Sequence, residues 1–362
     1  MVLAEDDATS EMVLETARKL FSDFEVGAFE AAVANPRDQG APWLPPLWEA
    51  VQQMGFPLAL LDEARGGFGL DPLTSLGIVR EAARHGLPLP LGETMLANLV
   101  LVEAGLNPTE DPAALAGGLD FTRESAGWRV KGVAHAVPWG RHLNALVGCD
   151  GAGRIARLTE GWQVEPGQNI AGEPRDRLIL DTVVPQAEVV EAGLGAELVQ
   201  ALGALIRAQA IAGALEGILA KTIAYTQERV QFGRPLSKFQ VIQHNIAIIA
   251  TNTAAARAAA DMAAATLPRM HNDPEGFRRR VAAAKLRAGE AASLCAPLAH
   301  QVHGAIGITR EYPLHPLTNR LWAWRDEHGA EVEWADWLGA DVLQHGQAAY
   351  WLWLADETRS NA

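Results

Sequence analysis

Residues 229–236 (RVQFGRPL), followed by Gln240, combine side chains that suit a diphosphate lying beside a flat heterocycle. Arginine offers a permanently charged fork of donors, glutamine a neutral donor and acceptor, and glycine a turn without a Cβ. The pattern favours a ligand clamp at the end of a long apolar helix. A structural explanation also stays open, because a helix C-terminus is often basic and is often followed by Gly and then Pro.

A second segment, residues 300–314 (HQVHGAIGITREYPL), follows later in the chain. In this order the two segments resemble the two cofactor segments of the acyl-CoA dehydrogenase family, and residues 54–69 resemble the N-terminal helical domain of that family. The resemblance implies an FAD-dependent enzyme. It implies that Arg229, Gln231, Phe232 and Gln240 belong to the flavin clamp.

The same resemblance assigns roles in the second segment. Gln301 would offer its amide to the ADP portion of FAD, and Gly304 would let the backbone approach the cofactor. The resemblance further implies that the two segments come from different subunits of an oligomer. Family members usually have a second glycine where this chain has Ala305.

The family removes the α-proton of an acyl-CoA with a glutamate while the β-hydrogen leaves as hydride to the flavin, which gives a 2-enoyl-CoA. That glutamate usually follows the second segment, where this chain reads WRDEHGAE over residues 324–331. We predict Glu327 as the base. Glu331, His328 or a partner chain remain alternatives, and these acids could also be solvated near a helix start. Ile206 stands where other members carry the base.

The middle of the chain departs from the family pattern, since residues 136–139 (AVPW) replace a Trp-Ile-Thr element that faces the flavin. Two interpretations follow. The chain is a divergent homo-oligomeric enzyme, or it resembles the short subunit of two-chain members, which often act on steroid side-chain thioesters. In the second case it is a flavin-sharing or a non-catalytic subunit. The resemblance implies an acyl-CoA substrate, an electron-transfer flavoprotein or similar acceptor, and self-association or a second acyl-CoA dehydrogenase chain as partner.

The periodicity of apolar residues predicts a mainly α fold with a small β domain. We expect an N-terminal helical domain over residues 1–112, a shortened middle antiparallel β domain over 113–190, and a C-terminal four-helix bundle over 191–362. Five short strands are expected, over residues 128–131, 144–149, 155–158, 162–165 and 177–184. Residues 151–156 (GAGRIA) imitate a dinucleotide fingerprint, but a strand follows the glycines, so a hairpin turn is predicted.

Composition excludes several classes of function. The formal charge of −14 disfavours nucleic-acid binding, and two distant cysteines disfavour a disulfide framework. His300 and His303 could bind a metal only with a third ligand, for which Glu311 is the nearby candidate, so no metal is predicted. The most apolar segment contains Arg207, Glu216 and Lys221, and the acidic N-terminus lacks a signal pattern. A soluble cytoplasmic protein without a membrane partner is expected.

Overall fold

The computed structural model describes residues 2–35, 40–192 and 194–355, and the side chains of 2–7, 348, 349 and 351–355 are outside that description. The chain opens with four helices: α1 (Val2–Ala34), α2 (Pro45–Gln53), α3 (Pro72–Arg84) and α4 (Leu91–Glu103). The start of α3 shows how the sequence sets a helix boundary. The Asp71 side chain accepts from the N–H groups of Leu73 and Thr74, and Pro72 occupies the first turn.

A seven-stranded sheet follows the helices. Its strands are β1 (Ala113–Glu124), β2 (Gly127–Pro138), β3 (Ala145–Asp150), β4 (Arg154–Leu158), β5 (Trp162–Glu165), β6 (Arg175–Val184) and β7 (Val189–Glu191). They lie in the order β5-β6-β2-β1-β3-β4-β7. The five predicted strands are present. Residues 151–153 form the turn of the antiparallel β3–β4 hairpin, so the dinucleotide motif was correctly rejected.

The sheet differs from the expectation in being mixed. Strands β1 and β3 pair in parallel, whereas the other pairs are antiparallel. Strand β1 was not expected, because its first half reads AALAGG and lacks the β-branched and aromatic residues that mark strands. Its pairing comes from its position between β2 and β3. One face of the sheet has its own apolar core around Phe121, Val130 and Leu178.

The C-terminal half is a helical bundle, as expected. It contains α5 (Ala196–Glu228), α6 (Gln240–Ala264), α7 (Pro274–His303), α8 (His315–Asp326) and α9 (Glu331–Ala355). Between α5 and α6 lies a hairpin of β8 (Val230–Gln231) and β9 (Arg234–Pro235). Helix α5 is long and apolar enough to span a membrane by composition, but 83% of its most apolar window is buried, which fits the central helix of a bundle. The mainly α fold with a β region is confirmed.

Helices α3 and α5 cross in close backbone contact. A Cβ on Gly213 would lie 2.0 Å from the carbonyl oxygen of Arg80, and a Cβ on Gly217 would lie 2.2 Å from that of Arg84. These distances are far below van der Waals contact, so only glycine fits at the two positions. The glycines are one helical turn apart, as are the two carbonyls. The pair therefore fixes how the N-terminal helices pack on the bundle.

We expect Gly213→Ala to lower the free energy of unfolding by about 1–3 kcal/mol, because a methyl group must push α3 away from α5. Gly339→Ala is the matched control, since Gly339 lies in α9 and a Cβ there meets nothing within 4 Å. This control should be neutral or stabilising by up to about 1 kcal/mol, the intrinsic helix preference of alanine. Urea unfolding of both variants checks this, and equal stability of the two would contradict the close crossing.

Candidate functional site

The predicted clamp is a tight hairpin that presents an aromatic ring to the exterior. Phe232 and Gly233 form its two-residue loop with φ of +51° and +79°, the backbone of a type I′ turn. Glycine adopts this conformation freely, whereas Phe232 is strained by it. The Phe232 ring is 92% exposed. The Arg234 guanidinium of the same hairpin lies 4.2 Å from the centre of the Phe239 ring. This cation–π contact holds the hairpin against the start of α6.

Polar side chains around this hairpin are available to a ligand. Arg229, Gln231, Gln240 and Gln301 are exposed, and within the described part of the chain their side chains make no hydrogen bond or ion pair. The backbone of Arg229 is held, because its carbonyl accepts from the N–H of Leu236 at 2.9 Å. The guanidinium is thus positioned by a rigid backbone but left without a carboxylate.

The second segment lies at the same end of the same bundle. The Tyr225 hydroxyl donates to the His303 carbonyl at 3.2 Å, and the two rings stack at 4.5 Å. Helix α7 ends at Gly304, where φ is +65° and a Cβ would meet nothing within 4 Å. The C-terminal ends of α5 and α7 are therefore in contact within one chain. That the two segments around one cofactor come from different subunits stays a prediction.

This end of the bundle fits the adenosine diphosphate half of FAD. It offers an unpaired guanidinium, free amides and a glycine backbone open to close approach, which are the groups that bind phosphate and ribose. Trp139, in the segment that replaces the ring-facing element, is 1% exposed and packs against Trp43 and His142.

Glu327, the predicted base, is held by two arginines. Its Oε2 lies 2.6 Å from Nε of Arg207, and its Oε1 lies 2.8 Å from Nε of Arg175. Burial by itself would raise the pKa of Glu327, but the charges of Arg207 and Arg175 outweigh it and lower the pKa. A general base needs a pKa close to the working pH. The arrangement makes Glu327 a weak proton acceptor.

The ion pairs of Glu327 extend into a buried network. Nη2 of Arg207 reaches Oε1 of Glu93 at 2.5 Å, and Nη2 of Arg175 reaches Oε2 of Glu173 at 3.1 Å. Glu173 also accepts from Nε of Arg320 at 3.0 Å and from the Trp324 indole at 2.8 Å. The network joins α4, α5, α8 and β6. Sequence reasoning missed it, although Glu93 and Arg207 interrupt apolar helices, a signal for buried pairing.

The alternative bases in the loop after α8 have structural roles. His328 has φ of +56°, and its ring lies so close to α5 that a Cβ on Gly203 would be 2.2 Å from Nδ1. Burial, followed by the charge of Arg207, lowers the pKa of His328 to about 4. Glu331 pairs with Nε of Arg325 at 3.2 Å. Neither group is placed as an efficient base.

Lys285 holds this loop and was also missed by the sequence analysis. Its Nζ donates to the carbonyls of Arg325 at 2.5 Å and Gly329 at 2.7 Å, and the side chain is fully buried. Burial lowers the pKa of Lys285 to about 8. One lysine inside a helix gives no sequence signal of such a role. The loop is therefore fixed on both sides of Glu327.

The two histidines considered for metal binding are engaged elsewhere. Nε2 of His300 lies 2.9 Å from Oγ1 of Thr318, and His303 stacks on Tyr225. Over the ranges given above, no three His, Cys, Asp or Glu side chains form a group that could hold a metal ion.

The network should make stability depend on acid pH. Burial alone would raise the pKa of Glu173, but the charges of Arg175 and Arg320 lower it to about 2. The folded state thus holds fewer protons than the unfolded state, so stability present above pH 4.5 is lost as pH falls toward 2. Glu173 alone contributes about 3 kcal/mol to this loss.

Urea unfolding at a series of pH values measures the effect. Glu173→Gln should reduce the slope of stability against pH in the acid range by about one proton. Glu30→Gln removes an exposed carboxylate of α1 and should keep the slope of the parent protein. A Glu173→Gln slope equal to that of the parent would contradict the assignment.

Comparisons with known proteins identify the family of the C-terminal helices and the fold of the chain. Residues 201–325 match the family model "Acyl-CoA dehydrogenase, C-terminal domain". The chain is 29% identical over 308 residues to acyl-CoA dehydrogenase IpdE2 of Mycobacterium tuberculosis, covering 84% of this chain and 88% of that protein. It is 40% identical over 161 residues to acryloyl-CoA reductase (NADH) of Anaerotignum propionicum, which spans 43% of this chain and 40% of that protein.

The fold is shared with a solved structure, the ChsE4-ChsE5 complex from Mycobacterium tuberculosis. The TM-score is 0.80 at 19% identity, and the match covers 93% of this chain and 98% of that chain. Residues 201–325 carry the C-terminal domain of the acyl-CoA dehydrogenase family, and over most of its length the chain is similar to an acyl-CoA dehydrogenase, an FAD-dependent class of oxidoreductases acting on acyl-CoA thioesters.

Proposed function

We propose that this chain is the flavin-sharing subunit of a two-chain acyl-CoA dehydrogenase, and that a second chain of the same family supplies the base. The observation that carries the proposal is the pairing of Glu327 with Arg207 and Arg175. Dehydrogenation starts with removal of an α-proton, and this requires a carboxylate with raised basicity in a closed apolar pocket. Glu327 is buried but neutralised, so its basicity is lowered.

Freeing Glu327 for catalysis would be costly. If Glu327 left the network, Arg207 would still be paired with Glu93. Arg175 would be paired only with Glu173, and Glu173 is shared with Arg320. Two arginine charges would then be only partly compensated in a buried site, and loss of one partner of a buried pair typically costs about 3–5 kcal/mol. The carboxylate is better explained as a structural member of the network than as the base.

The end of the bundle supports the flavin-sharing part of the proposal. Arg229 and Gln231 would bind the diphosphate of FAD, with Gln240, Gln301 and Gly304 beside it. Phe232, exposed at the tip of the hairpin, would be covered by the second chain. When bound, FAD accepts the hydride of the β-carbon.

The other assignments follow from this arrangement. The substrate is an acyl-CoA, and the electrons pass to an electron-transfer flavoprotein or similar acceptor. The ChsE4-ChsE5 complex offers a two-chain precedent for the assembly. We infer helical, β and bundle domains over residues 1–112, 113–190 and 191–362, and a cytoplasmic heterotetramer. A homotetramer in which Glu327 acts as the base is the competing function, and steroid side-chain thioesters are candidate substrates for either.

Anaerobic titration of the FAD-loaded chain with butyryl-, octanoyl-, palmitoyl- and steroid side-chain-CoA separates the two functions. We expect no bleaching of the flavin by any of them without a second chain, because the chain lacks a free base. Bleaching of the isolated chain would contradict the proposal.

Two matched variants would then locate the base. Glu327→Gln and Glu93→Gln each remove one carboxylate paired with Arg207, so both should lower the melting temperature. If Glu327 is structural, neither changes the rate of flavin reduction in the assembled enzyme by more than a few-fold. A selective loss of about 10²-fold or more in Glu327→Gln would identify Glu327 as the base.

Arg229→Ala tests the cofactor site. Loss of a charge-assisted hydrogen bond should weaken FAD binding by about tenfold or more while the helical circular dichroism stays unchanged. Arg257→Ala is the control, because Arg257 is also exposed on the bundle but pairs with Glu216 and Asp261 away from the hairpin. Equal FAD retention by the two variants, measured by equilibrium dialysis, would remove Arg229 from the site.

A further inference from the structure

A cavity of about 690 Å³ lies between the second half of α1, helix α8 and the loop of residues 168–172. His300, Ile308, Arg310 and Pro313 of the second segment line it, whereas the residues predicted to contact FAD and Glu327 do not. The cavity therefore borders the proposed cofactor site but contains none of its predicted ligand contacts. Its volume lies within the range of small-molecule pockets, about 300–1,000 Å³.

The cavity wall carries more positive than negative charge. Lys221, Arg310 and Arg320 are the cationic side chains on the described wall, and Glu25 is the carboxylate there. This contrasts with the formal charge of −14 of the whole chain. A cleft lined by one sign of charge concentrates ions of the opposite sign. The cavity therefore selects an anion although the protein as a whole repels one.

One of the three cations has no carboxylate partner among the residues that the structure describes. Lys221 pairs with Glu25 at 2.5 Å, and Arg320 pairs with Glu173 at 3.0 Å. Arg310 donates through Nη2 alone, to the carbonyls of Ala32 at 3.1 Å and Asn35 at 2.9 Å. In the part of the chain that the structure describes, its Nε and Nη1 have no partner. The two carbonyl contacts hold the guanidinium in place while its other donors stay available.

The rest of the wall is largely apolar. Phe29, Val33 and Trp322 line the cavity, together with Ile170 and Ile308. The last two side chains are 67% and 72% exposed, an unusual state for large aliphatic groups. Covering them with an apolar ligand would remove this surface from water.

We propose that this cavity binds an amphipathic monocarboxylate. Its carboxylate would pair with Arg310, and its apolar body would cover Ile170 and Ile308. A single unpaired guanidinium matches one negative charge, and its planar fork of donors matches the two oxygens of a carboxylate. A phosphate group would carry a second negative charge, and the described side chains that line the cavity include no other unpaired cation to neutralise it. The inference does not depend on the flavin-sharing function.

Isothermal titration calorimetry of the full-length chain with sodium octanoate tests the proposal. Octyltrimethylammonium carries the opposite charge on the same tail and should not bind in the cavity. Ala32→Trp should abolish octanoate binding, because Ala32 lines the cavity and a large ring would fill it. Ala34→Trp is the matched control on the same helix, since Ala34 is exposed and does not line the cavity.

Arg310→Met should weaken octanoate binding by about tenfold or more through loss of the charged pair. Three results would overturn the proposal: no binding of octanoate, equal binding of octanoate and octyltrimethylammonium, or unchanged octanoate binding in Ala32→Trp. If Arg310→Met disturbs the end of α1, Ala32→Trp still decides the question, because it keeps the arginine and its carbonyl partners. Flavin content and bleaching test the proposed function separately.

Discussion

Three buried or half-buried carboxylates and three arginines connect parts of the chain that are far apart in sequence. Glu93 lies in α4, Arg207 in α5, and Arg175 in β6, and Glu327 pairs with both arginines. Each charge is compensated only if every region is in its native position. A buried network of this kind contributes less to net stability than to uniqueness, because its desolvation cost offsets much of its attraction. The relative placement of the helices and the sheet depends on this condition.

The network also explains why a loop in the right place for catalysis is poorly suited to it. Family enzymes need a carboxylate with a raised pKa, and isolation in an apolar pocket supplies it. Here the carboxylate of that loop, Glu327, pairs with two guanidinium groups. Lys285 also holds the loop through hydrogen bonds to two of its backbone carbonyls. The cofactor end has the opposite character, since the side chains of Arg229 and the neighbouring glutamines have no partners within the described residues. The charged groups around Glu327 are paired with one another, whereas the polar groups around Arg229 are open to a ligand.

Local patterns allowed much of the molecule to be predicted from sequence. The hairpin turn was recognisable because Phe232, Gly233 and Pro235 are contiguous, and the helices were recognisable because their apolar period is strong; the role of the hairpin as a flavin clamp stays a prediction. The pairing of β1 with β3 was not, because the Ala-Gly run of β1 carries no strand signal and its partners are set by tertiary contacts. The position of Glu327 followed from its spacing after the second segment. Its chemistry could not be predicted, because that depends on Arg175, which is 152 residues away.

The close crossing of α3 and α5 limits how the molecule can move. The backbone of α3 lies against Gly213 and Gly217, and the matching carbonyls repeat at the same one-turn interval. If α3 slid along α5, its carbonyls would leave the two glycines and meet residues with side chains. Close contact would be possible again only after a shift of one full helical turn, about 5.4 Å. Small shear motions between the N-terminal helices and the bundle are therefore blocked. This crossing does not restrict the sheet, whose displacement from the bundle would instead have to break the pairing of Arg175 in β6 with Glu327.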